Sequence, residues 1–429
     1  MMPQLGRYLV SLFGVALLLV SVLAAPGWSK PGDLDPSFSG DGKVTTSFRV
    51  GDSEAYGLAI QADGKIVAAG VANRGFGDSR FALTRYNLNG SLDRTFSGDG
   101  KVTTNFTPGG DPANDVAVLP GGRIVAVGEA GGRQFGVARY WGNGTLDRTF
   151  GGDGKVTTNF ERGNDRAFGV AIQMDKKIIA VGRVAGSGGR FGLARYNTNG
   201  TLDITFGGDG KVGTNFTTRN DAASGVAIQP DGKILAAGSA GRYQYSHGQF
   251  ALARYNPDGT LDPTFGGTGK VVTDFTGGDE GALGVAIQSD GKIVTVGEAT
   301  DIDDESNTDF ALARYNADGA PDQSFGSGGQ VRTDLVYGDS AAAVQIQADG
   351  KLVVAGTAET EFTIARYNSD GALDASFGNG GVVFLHFPVG FPPSAYALAL
   401  QSNGRIVAAG TTDQVDIGAR FALARLLAA

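Results

Sequence analysis

Seven arginines and seven aspartates recur in step along the chain. The arginines are Arg85, Arg139, Arg195, Arg254, Arg314, Arg366 and Arg425, each in a string like FALARYN. The aspartates are Asp35, Asp93, Asp147, Asp203, Asp262, Asp322 and Asp374, each in a string like LDxxF. A guanidinium and a carboxylate repeated at fixed spacing can bind ions from solution or pair with one another. Strand alternation puts Phe81, Leu83 and Arg85 on one face, so the arginine sits among apolar residues. We therefore expect a buried pair at one corner of each repeat. The last arginine, Arg425, must then reach Asp35 at the other end of the chain.

Other residues could hold a metal or a ligand. In the stretch 301–309, Asp301, Asp303 and Glu305 place carboxylates at alternate positions, as a calcium loop does. The mid-loop glycine and distal glutamate of an EF-hand are missing, and calcium is the one cofactor suggested anywhere. Arg242, Tyr243, Tyr245 and His247 combine aromatic faces with hydrogen-bond donors, which suits contact with a glycan or peptide. Asp41, Asp99, Asp153 and Asp209 stand singly in glycine runs and read as turn residues. Lys65, Arg123, Lys177, Lys233, Lys292, Lys351 and Arg405 each open a strand and read as a solvated basic ring.

Composition excludes several classes of function. The 429 residues contain no cysteine, so disulfides and thiolate zinc sites are absent. Two histidines, His247 and His386, leave little for an imidazole metal centre or a serine–histidine–aspartate triad. The formal charge of −8 argues against a nucleic-acid binder. A hydrophobic share of 41% is ample for a packed core.

The elements that position these residues follow from the repetition. Successive arginines lie 54, 56, 59, 60, 52 and 59 residues apart. Each unit reads as four short strands, exemplified by residues 222–229, 233–238, 249–255 and 269–275. Asp231-Gly232 turns the chain between the first two. Four strands per unit of this length fit a propeller blade better than a solenoid coil. The first strand carries Gly57, Asp115, Gly169, Gly225, Gly284, Ala343 and Ala397 at one position, nearly all of them Gly or Ala, as the crowded hub of a propeller requires.

The fold class is therefore all-β: a seven-bladed propeller of four-stranded antiparallel blades over residues 33–429. An outer strand near residues 34–48 lacks its own blade, and FALARLL at 421–427 lacks an outer neighbour. Docking the first against the second closes the ring and removes two open edges.

Residues 1–24 read as an export signal, with Arg7 before an apolar run from Tyr8 to Leu23 and small residues ending at Ala24. Residues 25–32 form a short linker. Cleavage predicts a secreted, periplasmic or cell-surface protein without a membrane span, and we expect a monomer.

The strings LDxxFGGDGKV, AIQxDGKIVAAG and FALARYNxDG, taken together over residues 33–426, resemble the bacterial delta-60 repeat family. That resemblance implies a propeller-forming repeat of exported bacterial proteins, with no general catalytic residue set. The expected function is a binding or scaffold module meeting an extracellular glycan, peptide or envelope protein through its variable loop face. The alternative is a carboxylate-dependent hydrolase or lyase acting on a polysaccharide. Acidic and amide residues of the outer-to-inner loops, among them Asp52, Glu54, Asp111, Asn114, Asp165, Asp221, Asp279, Glu280 and Asp339, are expected to surround one channel mouth with negative charge.

Overall fold

A computed structural model describes residues 29–428 apart from 49–50, 74, 76, 107–108, 162, 186–187, 242–247, 276, 303, 336–337, 388–392 and 415–417. The export signal therefore lies outside the described residues. Seven four-stranded antiparallel sheets make up the fold, and six of them are contiguous in sequence. Blade one, for example, runs Ser53–Ile60, Ile66–Asn73, Ser79–Tyr86 and Lys101–Thr104, from hub to rim.

Blade seven is the exception. Its inner three strands are Ser394–Leu400, Ile406–Gln414 and Gly418–Leu426, and its rim strand is Lys43–Thr46 from the start of the fold. Lys43 pairs with Ala424 and Thr46 with Phe421. Leu34 bridges Leu426, and the Asp35 amide donates to the Arg425 carbonyl at 2.9 Å. This is the closed ring expected from the sequence, and it gives the last strand, Gly418–Leu426, a partner on both sides.

The core lies between blades. One cluster joins Ile66 and Tyr86 of blade one to Val407, Phe421 and Leu423 of blade seven, and analogous clusters fill the other interfaces. Each third-strand tyrosine also reaches the preceding rim strand, as when the Tyr86 hydroxyl donates to Thr46 at 2.8 Å and Tyr140 to Thr104 at 2.8 Å. At the hub, adjacent first strands pass so closely that a Cβ on Gly57 would lie 2.7 Å from the Asp115 Cα. That approach explains the small residues at this position. No described helix is long and apolar enough to cross a membrane.

Candidate functional site at the channel mouth

Opposite the mouth, each blade has the same ionic corner. Every arginine Nε lies 2.7–2.9 Å from an oxygen of its aspartate, including Arg425 to Asp35 across the closure. The other guanidinium nitrogens are also engaged. Arg85 Nη2 donates to Thr95 at 2.9 Å and Nη1 to the Gly142 carbonyl of the next blade. Arg366 repeats the latter contact with Ala428 at 2.6 Å and Arg425 with Leu88 at 2.5 Å. A phenylalanine ring lies 4.5–4.9 Å from each guanidinium carbon. These groups hold blades together and are not presented to a soluble anion.

The strand-opening basic ring differs from its expected solvated role. Lys65 Nζ lies 3.0 Å from Asp93, Arg123 Nε 3.1 Å from Asp147, and Arg405 Nε 2.7 Å from Asp35. The same second cation appears in the other blades through Lys177, Lys233, Lys292 and Lys351. Each buried aspartate thus meets two cations, together with a serine or threonine two residues on. Burial pushes the Asp93 carboxyl up. The Thr95 hydroxyl and amide, Lys65 and Arg85 outweigh it and bring the pKa down to about 2.

At the opposite face, the acidic loops do not form the open negative rim that was expected. Asp111, Asp165, Asp221, Glu280 and Asp339 are fully buried. Asp111 accepts from the Phe106 amide at 2.8 Å and the Gly131 amide at 2.6 Å, joining the chain beyond one rim strand to the neighbouring inner loop. Asp165 does the same with Phe160 and Ala185, and Asp221 with Phe216 and Gly241. Their carboxylates satisfy loop amides that would otherwise lack partners in a buried bend.

Variation reaches the channel itself at one position per blade. Every first strand shifts register against its second strand, as between Ala55 and Gly57 or between Ala395 and Ala397. The extra residue in the bulge is Tyr56, Asn114, Phe168, Ser224, Leu283, Ala342 or Tyr396, in blade order. A bulge kinks its strand and re-aims a side chain. All seven residues line a cavity of about 200 Å³ at the hub.

Sequence reasoning missed this set, yet a signal for it was present. The glycine closing each second strand, such as Gly70 or Gly410, sits opposite the bulge, where a Cβ would lie 1.8 Å from a first-strand carbonyl. Only glycine tolerates so close a backbone approach.

Seven segments match the family model described as "Domain of unknown function (DUF5122) beta-propeller": residues 61–96, 119–150, 173–206, 229–265, 288–325, 347–377 and 401–428. Together they span more than half of the chain. The chain belongs to this family.

The DUF5122 description speaks of a propeller and carries no delta-60 designation. No curated protein matches the chain. Solved structures similar to this DUF5122 propeller include a catalytically inactive virginiamycin B lyase from Staphylococcus aureus with quinupristin, at 10% identity and a TM-score of 0.47, covering 89% of this chain and 98% of that one. A protein of unknown function from Dyadobacter fermentans gives 13% identity and a TM-score of 0.45, over 90% and 98% of the two chains. A putative gluconolactonase gives 11% identity and a TM-score of 0.39, over 92% and 97%.

Within the DUF5122 propeller, Asp115 is the one carboxylate lining the hub cavity among the described residues. Its oxygens accept from the Val116 amide at 2.7 Å and the Val170 amide at 2.8 Å, tying two inner strands together. Burial pushes its pKa up to about 7 despite those hydrogen bonds. Asn114 donates to the Ala167 carbonyl at 2.7 Å across the same interface.

The sequence-derived ligand residues fare unevenly. Arg242, Tyr243, Tyr245 and His247 lie outside the described residues, as do Asp303 and the Glu305 side chain. Asp301 is held by Arg332 Nη1 at 2.8 Å, while Arg332 Nη2 donates to Asp309. Among the described residues, Asp309, Asp334 and Asp339 bring carboxylate oxygens within 4.8 Å of one another. These are the described residues best placed to share a divalent cation, and Arg332 already supplies one positive charge beside them.

Proposed function

We propose that this protein is an exported binding module that takes a small polar ligand, or the end of a glycan or peptide, into the channel mouth on its variable-loop face. One observation carries this reading. Within strands that otherwise repeat, the bulge residue changes from blade to blade and lines the hub cavity. Tyr396, Tyr56, Asn114 and Phe168 form an arc of aromatic and amide groups, whereas Ser224, Leu283 and Ala342 occupy the other side. Ringed walls with a few polar groups are the usual make-up of a ligand site. Export rests on the reading of residues 1–24.

The test is calorimetric titration of the mature chain against a panel of oligosaccharides and short peptides. Replacing Tyr56 and Phe168 together by Ala is expected to weaken a panel ligand by about tenfold or more. Undiminished affinity in that variant would move recognition away from the channel. The alternative, a hydrolase or lyase, would use two carboxylates at the substrate. Turnover on the same oligosaccharides would establish it.

A further inference from the structure

The geometry points to the seam between blades seven and one as a subsite for an ammonium group, formed by the rings of Tyr56 and Tyr396 and the carboxylate of Glu54. This deepens, and rests on, the channel-mouth reading above. Tyr56 and Tyr396 are bulge residues of adjacent blades, with ring centroids 5.4 Å apart and planes inclined at 57°. The two rings meet in a tilted contact at the seam, and a cation resting against the face of either one is attracted by that ring's quadrupole.

Glu54 lies two residues before Tyr56, in a column otherwise occupied by Pro112, Arg166, Ala222, Gly281, Ser340 and Ser394. Only blade one places a carboxylate at this position. The Tyr56 hydroxyl donates to Glu54 Oε2 at 2.9 Å, fixing ring and carboxylate relative to each other. No arginine or lysine forms a salt bridge with Glu54 among the described residues, unlike the corner aspartates, which each meet two cations. Arg166, across the ring, is held by Glu129 at 3.1 Å.

Burial, with Glu54 adding to it, pushes the pKa of both tyrosines up, so both stay neutral at working pH. Glu54 therefore accepts from a phenol and keeps its second oxygen for an incoming donor. A neutral sugar or side chain could stack on the rings but would leave the carboxylate charge unanswered. An ammonium group answers both. Its source would be an amino sugar or the side chain of a lysine-bearing peptide.

Two matched probe pairs separate these sources: the glucosamine tetramer against the N-acetylglucosamine tetramer, and Gly-Lys-Gly against Gly-norleucine-Gly. Titration of the full mature chain is expected to favour the charged member of at least one pair by about tenfold. The preference should shrink as salt rises from low to physiological ionic strength. Glu54→Gln should bring the ratio close to one while leaving the neutral member unchanged, and Tyr396→Ala should weaken the charged member. Glu54 is partly exposed and Gln keeps a side-chain oxygen to accept from Tyr56, so the variant is expected to fold, and a thermal melt checks this. Equal binding of charged and neutral members, or a preference that survives Glu54→Gln, would overturn the ammonium subsite while leaving the mouth reading in place. If no member of either pair binds, both are overturned.

Discussion

The two faces of the propeller use their charged groups in opposite ways. On the face of the short repeated turns, each arginine, its aspartate and a second cation form a closed set that recurs in all seven blades. At the channel mouth, Glu54, Asn114 and Phe168 each have no like residue at the same position of any other blade. A group needed at every interface has to recur, because every interface poses the same packing problem. A group meant for one ligand has no reason to recur. Repetition marks structural chemistry in this molecule, and departure from it marks the candidate site.

The sharpest attempt to break that contrast removes one member of a repeated set. Asp35→Ala strips Arg425 and Arg405 of their shared carboxylate at the ring closure. It is expected to cost about 3–5 kcal/mol, because it orphans a buried charge. Denaturant titration measures this, and a loss below about 1 kcal/mol would mean that closure does not depend on the pair. Next in size is Asp221→Ala, which leaves the amides of Phe216, Thr217 and Gly241 without their acceptor. A loss of about 1–3 kcal/mol is expected for this buried staple, measured in the same way.

The two regions should also differ in the sign of their pH dependence. Asp93 and its counterparts are more acidic in the folded state than in the unfolded chain, Asp93 being lowered from 3.8 to about 2. Their contribution is fully present above about pH 4 and is lost as pH falls toward 2. Asp115 is shifted the other way, from 3.8 to about 7, so the folded chain keeps a proton that the unfolded chain gives up. Its contribution is present below about pH 4 and is lost as pH rises toward 7. Asp115→Asn is therefore expected to flatten the stability profile between pH 4 and 7 and to leave acid unfolding in place. Melting curves at half-unit pH intervals test this, and an unchanged neutral limb would show that Asp115 does not titrate in that range. The smallest effect belongs to the mouth, where Glu54→Gln should change stability by no more than about 0.5 kcal/mol.

Much of the architecture was legible because repetition exposes period, alternation and turn chemistry together. The Asp-Gly hairpins, the FALARY alternation and the unmatched strings at both ends led to seven closed blades, and the strand order has that form. The corner pairs were legible for the same reason, since two charges recurring in step beside apolar residues need each other. The second cation was not. Lys65 and Asp93 are 28 positions apart in sequence, and their 3.0 Å contact arises only when one hairpin turn packs beside another. The acidic loops misled for a related reason. Asp111 and Asp165 look like surface carboxylates until the loop amides fold around them.

The sequence by itself determined the number of blades, their strand content and the way the ring closes, because these depend on local periodicity repeated seven times. Tertiary structure alone decided which residues meet at the hub. A bulge of one residue re-aims a side chain without altering the repeat, and no spacing along the chain shows that Tyr56 and Tyr396, 340 positions apart, stand 5.4 Å from each other at the seam.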